Sequence, residues 1–184
     1  MTPTATPLDD SRALRAALGQ FATGVAIVTA RDGEGRRAGV TINSFAPVSL
    51  APPLVLWSLG AAAASRPVFE AARHHAINVL AAAQEPLARR FAIRAADRFA
   101  GVAVREGPFD ALLLDGALAH LVCLVRERRE VGDHALFLSE VVHHCRAPGE
   151  PLIFHASAFR TIERPANAGE RPFTSADREI PCPA

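Results

Sequence analysis

Short apolar runs, each cut off by a turn signal, recur along most of this chain, and that spacing leaves little room for anything but antiparallel β structure. Residues 25–30 are β-prone, Asp32-Gly33 with Gly35 marks a turn, and 38–42 resumes the apolar pattern, which makes a hairpin. Residues 54–59 and 76–80 read as further buried strands. A longer pair, 118–128 and 135–145, is joined through Val131-Gly132-Asp133-His134, and 152–154 with 159–162 supplies a last pair. Helical periodicity is confined to three places. Leu14, Leu18 and Phe21 follow the capping candidates Asp10 and Ser11, with Gly24 as the expected stop. A short helix is predicted over 67–73, with Pro67 near its start, and a longer one over 83–100 with a break close to Ala95. Many strands in hairpins with few, peripheral helices predict a mainly β fold: an antiparallel barrel rather than a βαβ sheet.

That reading gives one domain over 11–162, preceded by an extension over 1–10. Beyond it, 163–184 is polar and interrupted by Pro165, Pro172, Pro181 and Pro183, so an extended or disordered tail is expected. A chain of 184 residues buries roughly 70% of its unfolded surface and needs no disulfide or structural metal for its core.

Charge narrows the function. With 20 basic and 19 acidic side chains the formal net charge is +1, which predicts no nucleic-acid surface. Every basic side chain is Arg; the absence of Lys excludes a lysine Schiff base and a Walker-type phosphate loop. Gly33-Glu34-Gly35 lies in a hairpin turn and lacks the third glycine opening a helix, so a Rossmann route to a dinucleotide is closed. Cys123, Cys145 and Cys182 are widely spaced without a C-x-x-C pair, and a reducing cytoplasm is expected. No signal peptide is read at the N-terminus, and the apolar run 50–64 is broken by Pro52, Pro53 and Gly60, so no membrane span is expected. His74-His75 and His143-His144-Cys145 invite a metal reading, but neighbours on a strand face opposite ways and no metal site is predicted. Cys123, on an alternating apolar strand, reads as a small core residue.

The stretch with the most chemistry is 39–56, which gathers Thr41, Asn43, Ser44 and Ser49 among apolar residues before the rigid Pro52-Pro53. Short hydroxyl and amide side chains beside backbone amides bind a phosphate or a ring edge without a cation, or merely satisfy turn backbone.

Here the sequence resembles the flavin reductase family with the FMN-binding split barrel, the small NAD(P)H:flavin oxidoreductases of two-component monooxygenases. The likeness rests on several motifs in order: Phe21-Ala-Thr-Gly-Val-Ala-Ile-Val-Thr; the 39–56 stretch; Ala76-Ile-Asn-Val-Leu with Gln84 and Phe91; Asp97-Arg-Phe-Ala-Gly; Asp115-Gly-Ala-Leu-Ala-His-Leu-Val-Cys; and Gly132-Asp-His. It covers about 14–162. What it implies is a split antiparallel β-barrel working as a homodimer, FMN or FAD as the flavin, NADH or NADPH as co-substrate, and hydride transfer from nicotinamide to flavin. Reduced flavin then supplies a separate oxygenase. By the same similarity the flavin runs along Thr41, Asn43, Ser44, Val48, Ser49 and Leu50, its phosphate lies by Ser65, and Arg98 and Phe99 are the basic-aromatic pair beside it. His134 is the histidine at the nicotinamide site. Read as residues alone, Phe99 is equally a core aromatic, Arg98 a solvated cation and His134 a turn residue.

One departure from the family pattern is Ala62-Ala63-Ala64, where serines are usual ahead of the Ser65 position. Each lost neutral hydrogen bond is worth about 0.5 to 1.5 kcal/mol, so two lost donors weaken flavin roughly five- to 150-fold. A flavin- or haem-binding split barrel with little turnover is the alternative function, and an oxidase with bound flavin a third; the Gly132-Asp-His motif favours the reductase.

Overall fold

The computed structural model describes residues 11–95 and 97–162, so the expectations for 1–10 and 163–184 lie outside the described residues. In chain order the elements are helix α1 (Ser11–Leu18), the short strand β1 (Thr23–Gly24), the hairpin β2 (Ala26–Arg31) and β3 (Arg37–Ile42), and the pair β4 (Ala46–Leu50) and β5 (Pro53–Gly60). Helix α2 (Arg66–Ala71), strand β6 (His74–Val79) and helix α3 (Glu85–Ala92) follow. The chain then makes β7 (Val104–Glu106) and β8 (Leu112–Leu114), the long hairpin β9 (Ala119–Val131) and β10 (His134–Arg146), and finally β11 (Ile153–His155) and β12 (Ala158–Arg160).

Seven strands form one antiparallel sheet in the order β3-β2-β6-β9-β10-β5-β4. Its two edge strands, β3 and β4, are consecutive in the chain and separated only by Asn43, Ser44 and Phe45. So short a link holds the edges together at one corner, because each residue spans at most about 3.6 Å. The sheet therefore curls into a barrel. No ladder joins β3 to β4 among the described residues, which leaves the barrel split rather than closed. Ser44 bridges the corner instead: its Oγ accepts from Ser58 N at 3.1 Å and donates to Ser58 O at 3.2 Å.

Period-two alternation sorts side chains to the two faces of the sheet. Ala26, Val28 and Ala30 of β2 point inward to a core with Trp57, Phe69, Ile77, Cys123 and Phe137, while Ile27 points outward to a second cluster with Leu80, Ala88, Phe91, Leu112 and Leu114. Being covered on both sides is why β2 reads as a continuous apolar run. Inside, Trp57 stacks on Phe137 with centroids 4.5 Å apart, and α2 sets Phe69 edge-on to Trp57 at 5.2 Å. Each such buried aromatic contributes about 1.5 to 3 kcal/mol through area alone.

The outer layer is held by a buried polar knot. Thr29 Oγ1 donates to Leu112 O at 2.6 Å; Asn78 Nδ2 donates to Ile27 O at 3.0 Å, and Asn78 Oδ1 accepts from Leu114 N at 3.0 Å. His120 Nδ1 lies 2.8 Å from the same Oδ1, and since a carbonyl oxygen only accepts, that nitrogen carries the proton. β8 is thus pinned across the back of β2, β6 and β9.

Three differences from the sequence reading have local causes. α1 ends at Leu18, before Gly19 rather than at Gly24, and buries none of its residues in this chain. The segment expected to be helical over 83–100 is a 3₁₀ turn (Ala82–Gln84) followed by α3; Ile93 turns extended, with φ −98° and ψ 160°, and Arg98 Nε donates to its carbonyl at 2.7 Å. β7 and β8 went unread because each is only a three-residue strand beside Gly107-Pro108.

Candidate active site

On β3, Arg37, Gly39 and Thr41 share the outward face, and the first two line an open cleft. Its volume is about 470 Å³, and its walls come from β3, from Ala64, Ser65 and Val68 around the start of α2, and from the segment running from Arg94 to Phe99. Three sequence-predicted residues, Ser65, Arg98 and Phe99, meet there.

Each is placed by a specific contact. Ser65 precedes α2 and its hydroxyl makes no capping hydrogen bond. Arg98 is fastened by the Ile93 carbonyl and by Gly39 O, which accepts from Nη1 at 2.8 Å. Phe99 is buried, edge-on to Phe91 at 5.1 Å, with the Arg37 guanidinium carbon 4.9 Å from its ring centroid. Burial first, and the like charge of Arg94 second, hold Arg98 below the ordinary guanidinium range. These donors fit an anionic group: an uncommitted hydroxyl beside several guanidiniums matches a phosphate ester.

Thr41 and Asn43 open onto a smaller neighbouring pocket of about 180 Å³ with Val25, Ile42, Ala92, Phe154 and Phe159. The Thr41 hydroxyl is already committed, donating to Ala88 O at 2.6 Å and so tying α3 to β3. Ser44 is spent on the β5 backbone, and Ser49 Oγ accepts from Ala51 N at 3.3 Å. Val48 and Leu50 lie on the exposed edge strand β4, Leu50 almost fully solvated at 94%.

His134 begins β10 opposite Gly60, the last residue of β5. Its Nδ1 is 2.7 Å from Asp133 Oδ1 and carries the proton, because a carboxylate accepts. The ring is thereby oriented with Nε2 as an acceptor near Gly60, where an added Cβ would stand 3.9 Å from it. The same pairing holds the Asp133 carboxyl below the usual carboxylate range. Gly60 leads directly into the turn carrying Ala62, Ala63 and Ala64, so His134 and the cleft are connected through one short segment.

The two histidines of the His74-His75 pair face opposite ways. His74 stacks on Phe109 outside, centroids 4.5 Å apart, while His75 is buried inside among Trp57, Phe69 and Phe137. Cys123 is a buried thiol that desolvation pushes up to about 12. No helix of the described residues is long and apolar enough to cross a membrane.

Arg37 and Arg94 were missed from sequence. The signal was present for Arg37, which sits two residues before Gly39 and so shares its face. Gly39 itself is needed there. A Cβ at this position would lie 2.3 Å from Phe91 Cε1 and 3.2 Å from Phe99 Cζ. Gly39→Ala is expected to cost about 1 to 3 kcal/mol through overpacking and to displace the Phe99 wall, read as a lower urea midpoint.

Comparison with known proteins agrees with this geometry. Residues 18–163 match the family model described as "Flavin reductase like domain". The FMN reductase (NADH) SmoA of Agrobacterium fabrum is 41% identical over 158 residues, covering 85% of this chain and 88% of that protein. HsaB of Rhodococcus jostii, the reductase subunit of a flavin-dependent monooxygenase, is 37% identical across 84% of this chain and 79% of its own length. Among solved structures, the NADH:FAD oxidoreductase SgcE6 of Streptomyces globisporus, in complex with NAD and FAD fragments, superposes with a TM-score of 0.81 at 38% identity, covering 89% of this chain and 99% of that one. A family match across most of the chain, joined to a split antiparallel barrel, places this protein in the flavin reductase-like family.

Proposed function

We propose that this chain is an NAD(P)H:flavin oxidoreductase that reduces FMN or FAD and releases it to a separate flavin-dependent oxygenase. The observation that carries the reading is the cleft in which Ser65, Arg98 and Phe99 converge beside Arg37 and Arg94. Such an arrangement suits a flavin phosphate, and two of the relatives named above, SmoA and SgcE6, are an FMN reductase (NADH) and an NADH:FAD oxidoreductase.

When bound, the flavin accepts the hydride that reduced nicotinamide gives up, so the protein need only stack, orient and dehydrate the two rings. Arg98 is the main anchor at the phosphate end, its guanidinium immobilised by two backbone carbonyls. Phe99 and the α3 face that Thr41 ties down form a rigid wall. Asp133 fixes the His134 tautomer so that Nε2 can accept from a donor such as the nicotinamide carboxamide. With Ala62, Ala63 and Ala64 giving no hydroxyls, flavin is held loosely, as suits a flavin that turns over as substrate.

A homodimer belongs to the same reading. Leu14 and Leu18 of α1, and Phe21 just after it, are exposed, and so are Val48 and Leu50 of β4. Apolar surface left uncovered by one chain fits a second copy closing the flavin-facing edges, testable by light scattering at micromolar concentration. The cytoplasm, where nicotinamide nucleotides are drawn on, is the compartment this activity implies.

The deciding experiment is oxidation of NADH and NADPH with and without added FMN, FAD and riboflavin. Steady turnover that requires free flavin is expected; binding of flavin or haem without turnover would favour the carrier alternative. His134→Ala should lower kcat/KM for the nicotinamide about tenfold to a hundredfold, about 1.4 to 2.7 kcal/mol, with flavin Kd little moved and His134→Asn restoring part. Unchanged nicotinamide kinetics in a folded variant would leave His134 as a turn residue.

A further inference from the structure

The arginine cleft holds more positive charge and more room than one phosphate uses. Arg37, Arg94 and Arg98 line it against a single lining carboxylate, Asp97, and that carboxylate is turned to the backbone, accepting from Phe99 N at 2.8 Å. None of the three guanidiniums is in an ion pair among the described residues. Arg94 makes only a long contact, 3.4 Å from Nη2 to Ala62 O. Like charges gathered without carboxylates raise the energy of the empty site and are relieved by an anion.

Charge alone does not say which flavin binds, since the terminal phosphate of a mononucleotide and the diphosphate bridge of a dinucleotide carry similar charge. Space and stacking do. A cleft of about 470 Å³ is of the size, about 300 to 1,000 Å³, that takes a whole drug-sized ligand, and a lone phosphate leaves most of it unfilled. The cations also continue past the Ser65–Arg98 position: Arg37 lies two residues beyond Gly39 along β3, about 6 to 7 Å further from Thr41 and Asn43. At that far end the Arg37 guanidinium lies over Phe99 with its residue exposed to solvent, a planar surface on which a purine can stack. We infer that this end of the cleft is an adenylate subsite in which Arg37 and Arg94 receive the adenosine-phosphate half of the flavin, so that the chain prefers the dinucleotide FAD to FMN. The inference rests on the flavin-reductase reading above and names the substrate class for that site.

The test is equilibrium binding on the purified chain, with FAD, FMN and riboflavin titrated by flavin fluorescence and ADP as competitor, run beside the NADH oxidation assay. FAD should bind about tenfold more tightly than FMN. ADP should displace FAD but leave riboflavin bound. Arg37→Ala and Arg94→Ala, both at exposed positions, should each lower the FAD-to-FMN affinity ratio about fivefold, with Arg37→Lys intermediate because it keeps charge and loses the planar face. FMN binding as tightly as FAD would overturn the subsite, as would variants that weaken both flavins equally. So would ADP that raises the NADH KM without displacing FAD, since the subsite would then belong to the nicotinamide nucleotide. Turnover with FMN and riboflavin but no FAD preference removes the subsite and leaves the reductase standing. An FAD preference in binding without any NADH oxidation removes the reductase and leaves the subsite.

Discussion

Asn78→Ala should lower folding stability by about 3 to 5 kcal/mol, as much as truncating one of the buried core aromatics. The side chain is fully buried and uses both ends: Nδ2 donates to Ile27 O, and Oδ1 accepts from Leu114 N and from His120 Nδ1. Truncation leaves two donors buried without an acceptor, each costing about 1 to 3 kcal/mol, and opens a small cavity besides. Because Leu114 N is one of them, the damage should be directional. Amide exchange should accelerate first in β8, before β9 or β10 loosens. A urea midpoint within error of the unaltered chain would show that water replaces the amide at no cost.

Acid should destabilise the fold well before carboxylate protonation dominates. His75 Nε2 is 2.9 Å from Phe69 O and must carry the proton there, which leaves Nδ1 buried with no hydrogen-bond partner. A second proton would put a charge among Trp57, Phe69 and Phe137, and desolvation accordingly lowers this imidazole to about 4; burial does the same to His120. The unfolded chain takes up these protons near pH 6.5, so it binds more protons than the folded chain between about pH 6.5 and 4. Stability is therefore fully present above pH 6.5 and is lost as pH falls toward 4. The slope is about 1.4 kcal/mol per pH unit for each histidine, or roughly 3 kcal/mol from His75 across the window. Urea melts at pH 7.5, 5.5 and 4.5 measure it, and His75→Leu should remove about one proton from the slope. An unchanged slope in that variant would mean that His75 is solvated in the folded state.

The fold was legible where side-chain period and turn chemistry agreed. The β2–β3 and β9–β10 hairpins came from alternation around Asp32-Gly33 and Gly132-Asp133, where the turn residues leave few alternatives. The over-long helix came from Leu87, Phe91 and Phe99 falling on or near one side, but α3 ends at Ala92 and the Arg98 side chain binds the Ile93 carbonyl instead. In the site, Ser65, Arg98 and Phe99 were found because they sit in recognisable motifs. Arg37 and Arg94 were not, since an exposed arginine carries no local mark of what lies across from it. The fate of the Thr41 hydroxyl was equally hidden, as its acceptor on α3 is 47 residues away.

The corner that joins the two outermost strands has a kinetic consequence. β9 and β10, 13 residues each, meet through a tight local turn, so this hairpin can form before any long loop is closed. β5 and β6 then have its two sides to dock on. β3 and β4 can be seated at the corner only after β2 and β5 have joined, because each hangs from one of them. Truncations in the central hairpin should therefore slow refolding, and truncations at the 43–45 corner should leave refolding untouched and hasten unfolding. The corner between β3 and β4 would be the last part of the barrel to assemble and the first to open.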